Sequence, residues 1–260
     1  MKRYIVFLKQ VPQSTRVEID PVTNTLKRSS ALCQTNPDDL CALQAALNLK
    51  KETQAEVVAV SMGPGSAETV LREALQHGAD RAVLLSSPAF AGSDTWCTSK
   101  VLAAAVQKIG TFDLLFFGRM AIDGDTAQVG PEVAGQLGIP QVTQLIRIEG
   151  ITPSSIWLAK RAGNVRQQME IAFPCAVMVS KKNGEVAPPT LAGWREAQKK
   201  VITCWNEKDL NLDAGSVGLH ASPTKVVSTE VPQNKKSLQW LADGAAVMQV
   251  IYQNIHSQKK

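Results

Sequence analysis

The sequence predicts an α/β protein built on a doubly wound, mostly parallel sheet. Short apolar runs rich in Val, Ile, Leu and Phe recur along the first two thirds of the chain. They are continuous rather than alternating, which is typical of strands buried on both faces. Segments with helical spacing of apolar residues separate them. Strands that alternate with helices favour a Rossmann-like sheet covered by helices on both sides.

Five apolar runs are the predicted strands of this sheet. Each has a core of aliphatic or aromatic residues and ends in polar residues or glycine. They cover residues 4–8, 56–62, 81–86, 113–118 and 172–180. Residues 142–171 show partial alternation instead, and we expect a pair of exposed strands there.

Three predicted helices have recognisable ends. Asn36 is expected to cap the first helix, and Pro37 suits its first position because a missing N–H costs nothing there. Two further helices follow at residues 65–78 and 94–110, and each ends in a glycine. Asp94 is expected to cap the second of these.

The pattern changes after residue 181. The last part of the chain has proline, loop and basic residues with little periodicity, followed by an amphipathic helix over residues 238–258. We therefore predict an α/β domain over residues 1–185 and a C-terminal arm over residues 186–260. A long segment without strands or a core of its own lies against something else. It either crosses its own core or, as the sharper interpretation, extends along a partner chain.

Composition excludes several classes of function. The formal net charge of +5 comes largely from lysines near the C-terminus, and aromatic residues make up 5% of the chain. There is no basic stripe with stacking platforms, so we expect no nucleic acid as a partner. No apolar run is long enough to span a bilayer, so we expect no membrane insertion.

The cysteines and the first residues predict a compartment. The five cysteines are scattered and form no CxxC pair, so neither a disulfide framework nor a metal site is expected. Only five apolar residues precede Lys9, too few for a signal peptide. These features predict a reduced, cytoplasmic protein.

Three loops are expected to meet at the edge of the sheet where parallel sheets bind their ligands. They cover residues 9–12, 61–65 and 118–130. In the last loop, either Asp125 caps the following helix or that helix begins at Pro131. In both cases the amides of residues 126–130 lie near a positive helix end, which suits a phosphate.

Tight turns that only stabilise the fold would give a similar pattern, but three of them at one edge favour a nucleotide site. No nucleophile or base motif accompanies them, since the three histidines are scattered and there is no GxSxG elbow. The residues therefore predict an adenine-type nucleotide that is held but not hydrolysed. No catalytic residue is assigned.

These residues resemble the β subunit of electron-transfer flavoproteins. The resemblance covers nearly the whole chain and includes the stretches VFLKQVP, NPDD, AVSMGP, LREALQHGADRAVLL and GRMAIDGDTAQVGPEVAGQLGIPQVT. It implies a heterodimer in which the α subunit holds a redox FAD, while β contributes a Rossmann-like domain and a C-terminal partner-binding arm. It also implies electron transfer with a partner dehydrogenase or other oxidoreductase. This chain would then be an electron-carrier subunit and not a stand-alone enzyme.

The nucleotide site of the family carries over to matching positions of this chain. The resemblance implies that the cofactor is bound by Phe7, Asn36, Pro37, Asp38, Asp39, Met62, Gly118, Arg119, Met120, Ala121, Ile122, Asp123, Gly124, Asp125, Thr126, Ala127, Gln128 and Val129. To these we add Gly63 from the second loop, and Asp94, Thr95 and Thr98 from the stretch FAGSDTWCTS. Leu191 corresponds to the docking leucine of the family's partner-recognition loop.

The resemblance also bears on the identity of the cofactor. Conventional members hold AMP in this site, with a structural role. The stretches FAGSDTWCTS and AIDGDTAQVGP are similar to the electron-bifurcating members, in which β binds a second FAD and meets NADH. We therefore expect FAD in this chain. The alternative is AMP in this site, with FAD on the partner subunit. Met120 is a departure, because the family usually has Gln there.

Two other classes of function share parts of this pattern. An adenine-nucleotide-binding sensor of the universal-stress-protein type has the same sheet architecture, and a nucleotide-dependent ligase or hydrolase would also need a crevice. The long C-terminal segment favours the electron-transfer subunit, because a sensor domain would end near residue 180.

Overall fold

A computed structural model describes residues 1–13, 32–180, 186–228 and 240–257. Met1–Lys225 and Val226–Lys260 form two compact units. The described strands, all in the first unit, are β1 (Arg3–Phe7), β2 (Gln10–Pro12), β3 (Cys33–Thr35), β4 (Glu56–Met62), β5 (Arg81–Leu85), β6 (Leu114–Gly118), β7 (Gln141–Ile151), β8 (Ser155–Ala162), β9 (Val165–Ala172), β10 (Cys175–Val179) and β11 (Ile202–Trp205). The described helices are α1 (Pro37–Thr53), α2 (Glu68–His77), α3 (Thr95–Ile109), α4 (Val129–Leu137), α5 (Leu191–Lys199) and α6 (Gly218–Ala221), with α7 (Gly244–Ser257) in the second unit.

Nine of the described strands form one sheet in the order β11-β5-β4-β1-β6-β10-β7-β8-β9. The strands from β11 to β7 pair in parallel, and β8 and β9 continue the sheet in antiparallel pairing. The chain builds β1, β4 and β5 outward and then crosses back to place β6 on the other side of β1. The predicted doubly wound, mostly parallel sheet is confirmed, and its strand order reverses beside β1.

Helices cover both faces of the sheet. Tyr4 and Val6 pack in the cluster that contains α1 and α2, whereas Ile5 and Phe7 pack in the cluster that contains α3 and α4. All four side chains are buried. Burial on both faces explains why the residues of β1 are apolar without alternation.

The antiparallel part of the sheet differs from the prediction. The structure has three strands between residues 141 and 172, where two were predicted, and β9 is the additional one. β8 is also less exposed than expected, because Ile156, Leu158 and Ala159 are fully buried. β9 gives a weak sequence signal because it is an edge strand whose residues are mostly exposed and only half of them apolar.

The predicted strand at residues 172–180 is shorter in the structure. Ala172 ends β9 and Cys175 begins β10, with Phe173 and Pro174 between them. Pro174 has no N–H to donate to a strand ladder, so the prediction of one continuous strand was wrong at this point.

Part of the chain after residue 185 packs on the first unit's own sheet. α5 lies against α2, and β11 pairs in parallel with β5 at the sheet edge. The prediction of a segment without strands is therefore wrong here, and the alternative, that the segment crosses its own core, describes it as far as β11. The first compact unit continues past the predicted boundary at residue 185 to Lys225.

The second unit contains α7, which begins six residues later than the predicted terminal helix over residues 238–258, since residues 240–243 are not helical. Residues 238, 239 and 258, which belong to the predicted helix, lie outside the described residues. Trp240 is 92% exposed, and Met248 and Tyr252 on α7 are both 66% exposed. None of the helices in the described ranges has the length and apolar character to cross a membrane.

Candidate nucleotide-binding crevice

Asp39 joins the ends of the two central strands, β1 and β6. Its Oδ2 accepts the backbone N–H of Lys9 at 2.8 Å, and its Oδ1 accepts the N–H of Gly118 at 3.1 Å. Burial raises the pKa of the Asp39 carboxyl to about 7, although hydrogen bonds from Asn36 and Lys9 oppose that shift. We call the space bounded by Lys9, the start of α1 and residues 118–128 the crevice.

Asn36 holds the long loop that follows β6. It occupies the expected N-cap position of α1, but its side chain makes no capping hydrogen bond. Instead, its Nδ2 donates to the carbonyl of Met120 at 2.9 Å, and its Oδ1 accepts the N–H of Ile122 at 3.2 Å. The side-chain capping expected from the sequence is therefore wrong, and Asn36 clamps the loop instead.

Two ion pairs bring charge into the crevice. Lys9 Nζ lies 2.7 Å from Asp123 Oδ1, and Arg119 Nε lies 3.7 Å from Asp38 Oδ2. Both cations reach solvent, since their side chains are 44% and 30% exposed, whereas the two carboxylates are nearly buried. Lys9 is missing from the predicted site residues. Its position directly after the first strand is the signal that identifies it.

The loop over residues 119–128 is exposed and strained in its second half. Asp125 and Ala127 have φ angles of +50° and +54°, a left-handed conformation that costs a non-glycine residue on the order of 1 kcal/mol. Thr126, Ala127 and Gln128 are exposed, and their N–H groups make no backbone–backbone hydrogen bond within the described ranges. These amides directly precede the N-terminus of α4, as expected for an anion site.

The start of α4 lies between the two predicted starts. Its first residue is Val129, and Asp125 donates its N–H to the carbonyl of Ala121 at 2.9 Å rather than capping the helix. Both predicted starts were therefore wrong. Pro131 falls in the first turn, where its missing N–H loses no helical hydrogen bond.

The turn after β4 borders the crevice on the other side of β1. The N–H of Gly63 donates to the carbonyl of Leu85 at 3.0 Å. A Cβ at Gly63 would lie 3.0 Å from the Cβ of Ala67, so the tight turn itself favours glycine here. Met62 is half-buried and packs against the cluster of α3 and α4.

Asp94 caps α3, as the sequence predicts. Its Oδ1 accepts the N–H of Cys97 at 3.0 Å. Its Oδ2 accepts the N–H of Thr224 at 3.0 Å and the Thr224 hydroxyl at 2.9 Å. Both carboxylate oxygens are thus engaged by the protein, and a direct contact of Asp94 with a cofactor stays a prediction.

Thr95 links the starts of α3 and α4. Its hydroxyl donates to Oε1 of Glu132 at 3.1 Å. The other oxygen, Glu132 Oε2, is buried and has no hydrogen-bond partner within the described part of the chain. Burial raises the pKa of Glu132, and the hydrogen bond from Thr95 opposes this shift. Sequence reasoning missed Glu132, because an acidic residue in a first helical turn indicates only a favourable interaction with the helix dipole.

Phe7 lies at the end of β1, but its ring belongs to the core. It stacks on Phe117, with ring centroids 4.3 Å apart and planes at 6°. Phe7 is only 5% exposed. We therefore expect any contact of Phe7 with a cofactor to come from its backbone.

Comparison with known proteins decides the family. Residues 23–210 match the family described as the electron transfer flavoprotein domain. The chain belongs to the electron-transfer flavoprotein family. It is 41% identical over 234 residues to the electron transfer flavoprotein subunit beta of Thermoanaerobacterium thermosaccharolyticum, an alignment that covers 90% of this chain and 89% of the relative. Identity and coverage are the same for the caffeyl-CoA reductase-Etf complex subunit CarD of Acetobacterium woodii.

A third relative is similar over slightly more of the chain. Protein FixA of Azorhizobium caulinodans is 40% identical over 246 residues, which cover 92% of this chain and 88% of the relative. The chain is thus an electron-transfer flavoprotein subunit, related to the β subunits. The two relatives named for electron-transfer flavoproteins give no support to the alternative of a universal-stress-protein sensor.

The structure unites part of the predicted electron-transfer flavoprotein site. Asn36 and Asp38 contact the loop after β6, and Asp39 accepts the N–H of Gly118 at the end of β6. The stretch around Asp94 is tied to residues 222–224 as well as to α4. Leu191, the predicted docking residue, is the first residue of α5 and is 67% exposed.

Proposed function

We propose that this chain is the β subunit of a heterodimeric electron-transfer flavoprotein and that its crevice binds FAD. The α subunit carries the other flavin. Electrons pass between the flavins and a partner dehydrogenase or other oxidoreductase, with Leu191 at the docking contact. The single observation that carries this proposal is the clamp of Asn36 and Asp39 on the end of β6 and the loop that follows it, in a chain of this family.

The groups in the crevice fit an adenine dinucleotide. The exposed amides of residues 126–128 precede a helix N-terminus, where the positive end of the helix dipole favours a phosphate. Arg119 adds a guanidinium with five N–H donors, of which the described 3.7 Å contact to Asp38 engages Nε. Gly118 allows the backbone of β6 to lie directly against α1, which keeps the floor of the crevice closed.

The protein supplies binding and orientation, and the isoalloxazine ring of a bound flavin supplies the redox chemistry. Asn36 fixes the loop backbone at Met120 and Ile122. Lys9 and Asp123 close the crevice beside β1 with their ion pair. A rigid loop holds a cofactor at a defined distance from its redox partner without reorganisation at each transfer.

The composition of the heterodimer tests this proposal. The chain is co-purified with an electron-transfer flavoprotein α subunit, and the bound nucleotides are extracted and quantified. We expect two FAD and no AMP per heterodimer. One FAD with one AMP contradicts FAD in this crevice but keeps the subunit assignment. A colourless chain that forms an ATP-binding dimer with itself contradicts the subunit assignment.

A pair of asparagine variants tests the position of the site. Asn36→Ala removes the clamp on the loop and is expected to lower nucleotide retention in this chain. Asn48→Ala is the matched control, because Asn48 lies on the same helix, is exposed and bonds only to Gln44 among the hydrogen bonds described. Equal retention in both variants would place the nucleotide elsewhere.

A further inference from the structure

α5 exposes two large apolar side chains, although the helix is packed against the core on its other face. Thr190 caps it, since its hydroxyl accepts the N–H of Gly193 at 3.0 Å. Leu191 and Trp194 are 67% and 50% exposed, and Ala197 is completely buried in the core cluster. One face of α5 therefore lies in the core while another faces solvent.

Arg72 on α2 binds the end of α5. Its Nη1 donates to the carbonyl of Ala197 at 2.6 Å and to the carbonyl of Lys200 at 2.8 Å. Its Nη2 also pairs with Glu68 Oε1 at 3.0 Å, which orients the guanidinium. The last carbonyls of a helix lack partners within the helix, and a cation there also interacts favourably with the helix dipole.

Two further contacts fix the distance between α5 and α2. A Cβ at Gly193 would lie 2.3 Å from the carbonyl oxygen of Gln76, so the helices approach more closely than any other residue allows. Lys200 Nζ donates to the carbonyl of Ala79 at 2.7 Å, just beyond the end of α2. Arg72 on α2 and Lys200, directly after α5, thus each bind carbonyls at or just beyond the end of the other helix.

We propose that Arg72 is a positioning residue for partner docking, because it holds α5 in the orientation that exposes Leu191 and Trp194. The inference rests on the proposed function, in which Leu191 meets the partner oxidoreductase. A docking helix that is already ordered loses less conformational freedom when the partner binds. If the helix is docking-competent only part of the time, the apparent affinity falls by the same fraction.

The test compares arginine variants in the intact heterodimer. The partner is a dehydrogenase for which the unmodified heterodimer gives a saturable rate. Arg72→Ala is expected to raise the KM for that dehydrogenase about fivefold or more, with little change in kcat or nucleotide content. Arg72→Lys retains a donor for the two carbonyls and is expected to restore most of the affinity. Arg81→Ala is the control, because that arginine pairs with Glu56 at the surface and makes no hydrogen bond to α5 among those described.

A second perturbation reaches α5 without changing charge. Gly193→Ala forces α5 away from Gln76, and its KM is expected to rise as in the arginine variant. Gly150→Ala is its control, because a Cβ at Gly150 meets no atom within 4 Å. Hydrogen exchange of the α5 amides is measured in all five variants, and faster exchange is expected only in Arg72→Ala and Gly193→Ala.

The double variant Arg72→Ala/Leu191→Ala separates a positioning role from a merely structural one. If Arg72 acts through α5, the two KM effects are not independent, and the double variant has a smaller effect than their product. Independent effects, or a KM that stays constant while α5 exchanges faster, would overturn the inference and leave the proposed function intact. A heterodimer without a saturable rate toward any dehydrogenase or other oxidoreductase would contradict both.

Discussion

At the scale of single residues, Asp39 shows how one side chain organises the crevice. Its two oxygens hold the backbone at the ends of β1 and β6, and the cost of burying its charge raises its pKa to about 7. The sequence places this aspartate correctly in the first turn of α1. The sequence does not reveal that the carboxylate oxygens of Asp39 accept backbone N–H groups at the ends of two strands that are far apart in the chain.

The pKa of Asp39 predicts a pH dependence of stability. Its folded pKa, about 7, lies above the ordinary value of 3.8, so the folded chain binds more protons than the unfolded chain between these values. The contribution of the Asp39 carboxyl to the stability of the fold is therefore fully present below about pH 4 and is lost as the pH rises to about 7. Urea unfolding of the wild-type chain and of Asp39→Asn at several pH values measures it. The free energy of unfolding of the wild type relative to that of Asp39→Asn is expected to fall as the pH rises from about 4 to about 7, and to be constant above it. Parallel pH profiles would contradict the assigned pKa.

At the scale of elements, the start of α1 and the end of β6 are in direct contact. A Cβ at Gly118 would lie 2.0 Å from Asp39 Oδ1 and 2.7 Å from the Asp39 backbone nitrogen. Only glycine therefore fits at position 118, because α1 and β6 approach closely there. The two residues in contact, Gly118 and Asp39, are 79 residues apart in the sequence. Gly124, in the loop that follows, meets no atom within 4 Å of such a Cβ.

The two glycines give a matched pair of variants. Gly118→Ala is expected to lower the free energy of unfolding by about 1–3 kcal/mol, because the extra methyl group must displace the start of α1. It should also lower nucleotide retention, since Asp39 and Asn36 move with that helix. Gly124→Ala is expected to change the free energy of unfolding by no more than a few tenths of a kcal/mol. Urea unfolding and nucleotide extraction measure both. Equal stability of the two variants would contradict this packing.

At the scale of the whole molecule, the two compact units differ in how they bury apolar surface. The first has a continuous core on both faces of its sheet. The described part of the second exposes Trp240, Met248, Tyr252 and Ile255. Exposed apolar surface of this extent marks an interaction site. In the proposed heterodimer, the α subunit covers it.

Hydrogen exchange tests this difference between the units. In the chain expressed alone, the amides of α7 are expected to exchange rapidly, because few buried contacts stabilise that helix. In the heterodimer with the α subunit, the same amides should be protected. α3 serves as the internal control, since it lies in the core cluster and should be protected in both samples. Protection of α7 in the isolated chain would contradict a partner-covered second unit.

The sequence by itself determined the doubly wound sheet, because strands buried on both faces must be continuously apolar and helices must carry a periodic apolar face. It also indicated the family, and it predicted three loops at one edge of the sheet as a nucleotide site. Only the tertiary structure decided that β11 returns to the edge of the sheet and that the predicted strand over residues 172–180 is divided at Pro174. It also decided which backbone groups Asn36, Asp39 and Asp125 bind. A strand of four residues with two exposed positions has too little pattern to be recognised. A polar side chain near a helix start has several acceptors and donors within reach, and the fold selects among them by bringing distant backbone close.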